Sequence, residues 1–387
     1  MHVVIVGGGF AGVKAALELS NKKDLSVTLI SRGSDFEYHG ALYRSATGHS
    51  PLEVVMRLGD IFAGKDNIEL VVDNIDTINN QLKYVKSETG QQYPYDRLLM
   101  CVGNEKSYFG IPGLDVYAHS MYTIHDTMKL RNELVKLFTI PHRQKVRVIV
   151  IGAGPSGTEL ASELQNFSNL VANRYGHTAK KVEVDLVERS ARVLPILNEK
   201  ASRIALKRLV KIGVNVMLGK KVIQCTRNTV RLDDEERAAD LIIWTAGCKT
   251  VDIYSRYPEL FAIEQGRVVV NEYMQVNKAK DIYVLGDNAF TKYSGMAQTA
   301  VSDAIFVAKN LISEVAGKEL RTYAPHVPIY VVPISGKWAV VQSGNSVRSG
   351  RYGWTVRRKA DLYIYKNFEP LKKAYITWRK GNRLGKF

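Results

Sequence analysis

The stretch VRVIVIGAGPSGTELASEL, residues 146–164, repeats the pattern of HVVIVGGGFAGVKAALELS, residues 2–20. In each copy an apolar run rich in Val and Ile leads into a glycine turn, after which Ala and Leu recur at helical spacing. A second apolar run follows each copy, LSVTLIS at 25–31 and VEVDLVE at 182–188. This duplicated strand–helix–strand unit predicts an α/β fold with two Rossmann-like domains, each a parallel sheet with helices on both faces.

Both copies place the spacing G-x-G-x-x-G between the strand and the helix. The first glycine allows a tight turn, the second lets a pyrophosphate approach the backbone, and the third lets helix and strand pack closely. The helix N-terminus then faces the negative charge of the phosphates. One such motif would indicate little more than a turn, but two in equivalent places predict two dinucleotide sites. Their glycines are Gly7, Gly9 and Gly12 in the first copy and Gly152, Gly154 and Gly157 in the second.

Three further strand-to-turn patterns set the expected domain boundaries: YDRLLMCVGN at 95–104, AADLIIWTAGCK at 238–249 and DIYVLGDNAF at 281–290. The last one returns to the first unit after the second is complete. We therefore expect a first dinucleotide-binding domain at 1–118 and 265–325, a second one inserted at 119–264, and a C-terminal β region with a basic tail at 326–387.

Residues at the strand ends indicate that the two dinucleotides differ. Glu188 ends the second strand of the second unit, where a carboxylate accepts hydrogen bonds from ribose hydroxyls and repels a 2′-phosphate, which favours NADH over NADPH. Arg189 and Arg192 lie nearby and weaken this inference. The first unit has Ser31 at the equivalent place, and Asp287 of the GDN turn is well placed for the ribityl or phosphate part of a flavin nucleotide. The alternative role of Asp287 is a helix N-cap.

In this order, VVIVGGGFAG, ALYRSATG, YDRLLMCVGN, VIGAGPSGTELASEL, LIIWTAGCK and IYVLGDNA resemble the motifs of the two-dinucleotide flavoprotein reductases. The chain is most similar to the type II NADH dehydrogenases, over roughly residues 1–320. This resemblance implies a non-proton-pumping NADH:quinone oxidoreductase of the respiratory chain. Hydride would pass from NADH to FAD, and two electrons from reduced FAD to a quinone. It also implies a peripheral protein on the cytoplasmic face of the cell membrane.

The resemblance also implies roles for individual residues. Those expected to contact FAD are Gly7, Gly9, Phe10, Ala11, Gly12, Ser31, Arg32, Ile75, Gly103, Asp287 and Ala297. Those expected to contact NADH are Gly152, Gly154, Pro155, Ser156, Gly157, Glu188, Ala246 and Gly247. Glu159 and Glu163, four residues apart on one helix face, and Gln298 are the catalytic candidates, near the nicotinamide and the quinone. For the two glutamates, a solvated or salt-bridged helix face is the alternative.

The chain departs from the family pattern at several positions. The family motif AQxAxQQ or AQxAxQE reads AQTAVSD here, so Ser302 and Asp303 replace two residues beside the flavin and quinone. Gly40 replaces a proline, and His39 before it is expected in a solvent-facing loop, with a place near the isoalloxazine ring as the alternative. The three cysteines, Cys101, Cys225 and Cys248, form no CxxC pair, so we expect buried thiols and no metal site.

The positive charge is concentrated at the C-terminus. Of the net charge of +16, the last 40 residues carry +10, from twelve Lys or Arg and two acids. The end of the chain predicts a helix starting at Pro370 and ending at Gly381, with an apolar stripe and flanking cations. The stripe is Leu371, Ala374, Tyr375 and Trp378, and the cations are Lys372, Lys373, Arg379 and Lys380. Such a helix lies in an anionic lipid interface or packs its stripe on the protein.

Three other functions are compatible with single features of the sequence. A sulfide:quinone oxidoreductase would need a cysteine pair or trio near the flavin. A reductase of a small electron-carrier protein would use the basic tail to attract an acidic partner. Nucleic-acid binding rests on charge alone, since no reading motif is present. The chain begins directly with a strand pattern and has no apolar run of about 18 residues, so we expect neither a secretory signal nor a membrane-spanning helix. A homodimer is an expectation that the sequence itself does not decide.

Overall fold

The computed structural model describes residues 1–380. The first glycine motif connects the strand His2–Val6 to the helix Phe10–Leu19, and this strand lies in the middle of the first sheet. In spatial order the first sheet contains Gln275–Val276, Ala279–Val284, Arg97–Met100, His2–Val6, Ser26–Ser31 and Ile68–Val72. All neighbouring pairs are parallel except the first, which is antiparallel. Val3, Val4 and Ile5 are fully buried, as expected of a parallel strand covered on both faces.

The second glycine motif connects the strand Lys145–Ile151 to the helix Pro155–Tyr175. The second sheet, parallel throughout, contains His119–Ser120, Leu241–Trp244, Lys145–Ile151, Lys181–Glu188 and Asn215–Leu218 in spatial order. The helices Ile124–Thr139 and Glu199–Lys211 complete this unit. Thr123 and Asp126 form a reciprocal capping box at the start of Ile124–Thr139, in which the side chain of each accepts a hydrogen bond from the backbone N–H of the other.

The second sheet is thus inserted into the first along the sequence, although the first sheet is continuous in space. The strands of the first sheet up to Met100 precede the second sheet, and those from Gln275 follow it. Short strands Asn104–Lys106 and Cys248–Thr250 pair antiparallel where the chain passes between the two sheets. The helix Ala297–Val315 packs against Phe10–Leu19 on one face of the first sheet. Both glycine motifs therefore lie at the carboxyl ends of parallel strands, where open α/β sheets bind ligands.

Smaller elements surround the two sheets. Hairpin strands are Ile75–Asn79, Tyr84–Ser87 and Gln92–Pro94; Val222–Cys225, Thr229–Leu232 and Glu236–Ala238; Asp35–Glu37 with Val55–Arg57; and Ile263–Glu264 with Arg267–Val268. Short helices and 3₁₀ turns are His39–Ala41, Leu42–Ala46, Pro51–Glu53, Leu58–Phe62, Leu114–Tyr117 and Gly286–Asn288.

The C-terminal region, as far as residue 380, contains an antiparallel sheet followed by two helices. The sheet contains Ile329–Pro333, Ala339–Ser343 and Ser346–Gly350, and the helices are Arg351–Phe368 and Leu371–Lys380. The helix Arg351–Phe368 joins the main core, since the Phe368 ring stacks on Phe36 at 4.3 Å and meets Phe10 edge-on at 5.6 Å. Within residues 1–380, no helix combines the length and the apolarity needed to cross a bilayer.

The apolar stripe of the tail helix is divided between two environments. Ala374 is fully buried, and the Trp378 indole N–H donates to the Arg358 carbonyl at 2.6 Å while its ring lies under the Arg358 guanidinium. Leu371 and Tyr375 are exposed instead. Of the two alternatives, packing on the protein therefore applies to Ala374 and Trp378, whereas contact of the exposed Leu371 and Tyr375 with lipid stays a prediction. The predicted helix end at Gly381 lies outside the described residues.

Candidate functional site

The first glycine loop, with Gly7, Gly9 and Gly12, forms a concave backbone surface at these three positions, called here the first glycine cradle. A Cβ on Gly7 would lie 2.2 Å from the Cys101 carbonyl oxygen, and one on Gly12 would lie 1.9 Å from the Gly7 carbonyl oxygen, so neither position accepts a larger residue. A Cβ on Gly9 would meet no protein atom within 4 Å. The loop is thus closely packed on its inner side and open at Gly9, ahead of the helix N-terminus. This shape fits a pyrophosphate group.

The other residues expected around the first loop have different surroundings. Ser31 is buried at its strand end and accepts a hydrogen bond from the Gly33 N–H at 3.4 Å, whereas the Arg32 side chain is exposed. Ile75 is buried. The Phe10 ring points into an aromatic cluster with Phe36, at 5.0 Å, which leaves its backbone rather than its ring available at the loop.

Asp287 lies at the end of the strand Ala279–Val284, in the 3₁₀ turn Gly286–Asn288. Its carboxylate accepts a hydrogen bond from the Asn104 side chain at 3.2 Å. Burial raises the pKa of Asp287, and the positive charge of Arg267 acts in the opposite direction. Asn288 of the same turn donates to the Gly103 carbonyl, which ties the turn to the end of the strand Arg97–Met100. The N-cap alternative for Asp287 is not realised, since the turn is followed by extended chain.

The second glycine loop repeats this arrangement. A Cβ on Gly157 would lie 1.9 Å from the Gly152 carbonyl oxygen, and Gly154 has open space. Pro155 and Ser156 are exposed at the first turn of the following helix. The Glu188 carboxylate accepts hydrogen bonds from the backbone N–H groups of Ala153 and Ser190, both at 2.8 Å. The strand end is thereby fastened to the loop.

The turn after the strand Leu241–Trp244 completes the second site. Ala246 and Gly247 are half-buried there, and a Cβ on Gly247 would meet the Ser107 carbonyl oxygen at 2.6 Å. The Thr245 hydroxyl donates to the carbonyls of Ile151 at 2.9 Å and Gly152 at 3.0 Å. Sequence reasoning missed Thr245, although its place directly before the Ala-Gly turn could have indicated it.

Glu159 and Glu163 occupy different environments on the helix Pro155–Tyr175. Glu159 is 5% exposed and accepts a hydrogen bond from Arg357 at 3.2 Å. Burial raises the pKa of Glu159 to about 7, against the lowering effect of Arg357 and Arg44. Glu163 is half-buried and accepts a hydrogen bond from the Asn166 side chain at 2.7 Å, and burial raises its pKa as well. Neither carboxylate is simply solvated, and Glu159 belongs to a buried ion network.

That network joins three segments that are distant in sequence. Asp361 has no exposed surface and accepts hydrogen bonds from Arg44 at 2.6 Å, Arg357 at 3.1 Å and the Tyr38 hydroxyl at 3.0 Å. Arg357 also donates to the Gly40 carbonyl at 2.6 Å. Sequence reasoning did not identify Arg44, Arg357 or Asp361. Arg357 and Asp361 are four apart in a basic stretch, where the sequence alone indicates only positive charge.

The helix Ala297–Val315 contributes the last group of expected residues. Ala297 begins this helix, and Gln298 is exposed, with its side-chain oxygen accepting from the Ile329 N–H at 3.1 Å. Asp303 is fully buried, accepting from the Gly286 N–H at 3.1 Å and from the Tyr323 hydroxyl. Burial raises the pKa of Asp303 to about 6. Asp303 therefore holds the turn Gly286–Asn288 from the protein interior, and its side chain does not face the solvent.

Cys101 directly follows the strand Arg97–Met100 of the first sheet, whereas Cys248 begins the separate short strand Cys248–Thr250. Cys101 is 5% exposed, and its Cβ lies 3.3 Å from where a Cβ on Gly12 would be; burial raises the pKa of its thiol. Cys248 is exposed, contrary to the expectation of buried thiols, because it lies on the short connecting strand Cys248–Thr250. Cys225 is buried, and His39 is exposed as expected. The part of the chain that the structure describes contains no metal-ligating cluster of His, Cys, Asp and Glu.

The chain matches a known protein family and is similar to curated proteins over nearly its whole length. Residues 1–304 match the family model described as pyridine nucleotide-disulphide oxidoreductase. The type II NADH:quinone oxidoreductase Ndh of Mycobacterium tuberculosis is 29% identical over 97% of this chain and 87% of its own length. The type II NADH:quinone oxidoreductase of Haemophilus influenzae is 27% identical, over 94% and 91% respectively.

Solved structures show the same fold at lower sequence identity. NDH2 from Plasmodium falciparum in complex with NADH superposes with a TM-score of 0.86 at 17% identity, covering 100% of this chain and 99% of that one. The sulfide:quinone oxidoreductase from Aquifex aeolicus gives a TM-score of 0.81 at 19% identity, over 95% and 91%. At these identities the superpositions concern the fold alone, so they do not separate the two activities.

Proposed function

Because the chain belongs to the pyridine nucleotide-disulphide oxidoreductase family, we propose that it is an FAD-dependent NADH:quinone oxidoreductase of the type II class. The observation that carries the proposal is the pair of open glycine loops, each at the carboxyl end of strands in its own sheet. The last strands of the first sheet follow the second sheet in sequence, so the second unit is inserted into the first. Similarity to curated type II NADH:quinone oxidoreductases over nearly the whole chain supports it.

The two cradles have separate roles in this proposal. Residues 1–118 and 265–325 hold FAD, with the pyrophosphate at Gly9 and Asp287 beside the sugar-phosphate chain. Residues 119–264 hold NADH, with the pyrophosphate at Gly154 and the ribose hydroxyls at Glu188. When bound, FAD supplies the two-electron chemistry that links hydride removal from NADH to quinone reduction. The chain's own contribution is to orient both nucleotides and to hold charge and protons near them.

Two groups of residues are proposed to serve the reduced quinone, which takes up protons. Glu159, with a pKa raised to about 7 by burial, exchanges a proton at physiological pH, and Glu163 lies one turn further along the same helix. Gln298 presents its side chain beside the strand Ile329–Pro333. Ser302, which donates to the Gln298 carbonyl at 3.0 Å, is shorter than the Gln of the related motif and leaves more room at this helix face.

The acceptor is proposed to be reached from the membrane surface. The C-terminal region 326–387 contains the basic tail, whose helix exposes Leu371 and Tyr375 beside cations. Each Lys or Arg near an anionic leaflet contributes about 1 kcal/mol of binding free energy. We place the protein at the cytoplasmic face of the membrane as a peripheral protein.

The decisive experiment is anaerobic reduction of the purified holoprotein with NADH or NADPH, followed by addition of a water-soluble quinone analogue. NADH is expected to bleach the flavin absorbance, and the quinone to restore it. A purified protein without flavin absorbance would refute the proposal. Bleaching by NADH without reoxidation by quinone would instead favour a reductase of a small electron-carrier protein.

A sulfide:quinone oxidoreductase is the second candidate, and the observation that favours it is the exposed thiol of Cys248. Its chemistry needs cysteines that carry sulfur, and Cys248 is the exposed thiol on the strand that pairs with Asn104–Lys106. If sulfide bleaches the flavin and the Cys248→Ser variant loses this reaction, that candidate replaces the proposed one. Unchanged NADH turnover in Cys248→Ser supports the NADH:quinone activity.

A further inference from the structure

The helix Arg351–Phe368 carries a fully buried carboxylate, Asp361, which contacts Arg44 of the first domain. Asp361 has no exposed surface, and a carboxylate is rarely buried unless it is paired. Its two oxygens are shared between Arg44, on the short helix Leu42–Ala46, and Arg357, one turn earlier on its own helix. Arg358 lies 3.8 Å from the same carboxylate. Asp361 is therefore the common counter-ion of three guanidinium groups.

The network continues from Arg357 to the proposed proton-handling residue. One nitrogen of Arg357 is 3.2 Å from the Glu159 carboxylate, and another donates to the Gly40 carbonyl at 2.6 Å. The charged and titratable groups that act on Glu159 are Arg357, Arg44 and Asp361, together with the buried Tyr43. These groups come from the Leu42–Ala46 helix and the C-terminal helix, whereas Glu159 lies on the second loop helix.

The signs of these interactions oppose one another. Arg357 and Arg44 favour the ionised form of Glu159, and the negative charge of Asp361 favours its protonated form. Asp361 remains ionised, because the effect of Arg44 and Arg357 exceeds the burial penalty and leaves its pKa below the ordinary value. With Asp361 present, the arginines are largely neutralised, so Glu159 keeps a proton at higher pH than it would beside two unpaired arginines.

We propose that Asp361 and Arg44 are positioning residues for the quinone reaction, which set the protonation state of Glu159 through the opposite charges that they place beside the Arg357–Glu159 pair. The inference rests on the proposed function only for the role of Glu159 in turnover. It assigns the C-terminal helix a part in the chemistry of the site besides any part in docking.

Two charge-neutralising variants test this assignment through the direction of a pH shift. Asp361→Asn leaves the arginines uncompensated, so the midpoint of Glu159 protonation should fall by about one pH unit or more. Arg44→Gln removes a positive charge, so the midpoint should rise by a similar amount. The double variant should return close to the wild-type midpoint. A merely structural role would lower activity in both single variants without shifts in opposite directions.

The midpoint is measured in two ways on the holoprotein. Infrared difference spectroscopy during a pH titration follows the carboxylic-acid band that disappears in Glu159→Gln, and the pH profile of NADH:quinone turnover follows the same ionisation in function. The infrared titration reports on Glu159 even if the protein reduces no quinone. Failure of the proposed function is therefore distinguishable from failure of this inference.

Folding of the variants is controlled in the same experiment. Unpairing a buried charge is strongly destabilising, so Asp361→Asn could unfold the protein. In that case the comparison of Arg44→Gln with the double variant decides, because adding Asp361→Asn should reverse the alkaline shift. Glu314→Gln, which breaks the ion pair with Arg97 on the first sheet, is the matched control and should leave the midpoint unchanged. Equal midpoints in wild type, Arg44→Gln and the double variant would overturn the proposal.

Discussion

Glu188 accepts a hydrogen bond from the Ala153 backbone N–H at 2.8 Å, so the acidic end of a strand is held against the second glycine loop. Its second oxygen accepts from the Ser190 N–H at 2.8 Å. The carboxylate is therefore fixed in position before a nucleotide binds. A fixed negative charge at this place disfavours a 2′-phosphate.

The first prediction concerns nucleotide choice. Glu188→Ser removes the charge that opposes the 2′-phosphate and leaves Arg189 and Arg192 nearby. The ratio of kcat/KM for NADPH to that for NADH should rise by about tenfold, which corresponds to about 1.4 kcal/mol. Steady-state kinetics with both nucleotides measures it. Glu183→Gln, on the same strand but at its other end, is the control and should leave the ratio unchanged.

The second prediction separates flavin binding from folding. Gly9 has φ of −89°, which alanine adopts readily, and a Cβ there meets no protein atom within 4 Å. Gly9→Ala should therefore keep the free energy of unfolding of the apoprotein within about 0.5 kcal/mol of wild type. The methyl group would occupy the space proposed for the pyrophosphate, so FAD affinity should fall at least about tenfold.

Fluorescence titration of apoprotein with FAD measures this affinity. Gly59→Ala is the matched control, because its Cβ also meets nothing within 4 Å and the residue lies on the separate helix Leu58–Phe62. Equal losses of FAD affinity in the two variants would show that the first glycine loop is not the flavin site.

The third prediction concerns the tail. Leu371 is 69% exposed, and an apolar side chain of this size contributes about 1.5–3 kcal/mol when it leaves water. Leu371→Glu should lower partitioning onto anionic liposomes by about tenfold or more, without changing flavin reduction by NADH. Co-sedimentation measures the bound fraction. Trp378 is unsuitable for this test, because its indole packs on Arg358 and its replacement would disturb the protein itself.

Leu82 supplies the matched control for the tail experiment. It is 72% exposed, at the turn between the strands Ile75–Asn79 and Tyr84–Ser87. Leu82→Glu introduces the same charge on another surface and should leave liposome binding near the wild-type value. Similar behaviour of the two variants would mean that the tail does not contact lipid through Leu371.

The fourth prediction uses the pH dependence of stability. The pKa of Asp303 is raised from 3.8 to about 6 in the folded protein, because the carboxyl is buried. Between these values the folded protein holds a proton that the unfolded chain has released. This group therefore lowers the free energy of unfolding as pH rises from about 4 to about 6, by about 3 kcal/mol in total.

Asp303→Asn should remove that decline, which urea unfolding at a series of pH values from 4 to 7 can measure. Asp252→Asn replaces a carboxylate whose side chain is 71% exposed and should retain the wild-type slope. Parallel curves for wild type and Asp303→Asn would contradict a raised pKa at this position.

Much of the fold could be predicted from sequence because its signals are local. A glycine turn between a β-branched run and a helical pattern involves residues within about 20 positions of one another, and both copies form as predicted. The position of Glu188 could be predicted for the same reason, since it ends the strand that follows its own glycine loop, whereas its contact with a ribose stays a prediction. These features follow from chain geometry at the carboxyl ends of parallel strands.

The environment of Glu159 could not be predicted in this way. Its partner Arg357 is 198 positions away, and Asp361 meets Arg44 across 317 positions. The helical spacing showed only that Glu159 and Glu163 share a helix side, and not which of them is desolvated. Likewise, the heptad-like spacing of Leu371, Ala374, Tyr375 and Trp378 did not show that Ala374 and Trp378 would be covered by the protein.

The sequence by itself thus determined the two glycine loops, the parallel sheets that carry them and the position of the acidic residue Glu188 at a strand end beside the second loop. Tertiary structure alone decided which carboxylates are buried, which charges neutralise them and which side of the tail remains exposed. The physical reason is that backbone turns depend on neighbouring residues. Desolvation and ion pairing depend instead on whatever the completed fold brings into contact, whatever the separation along the chain.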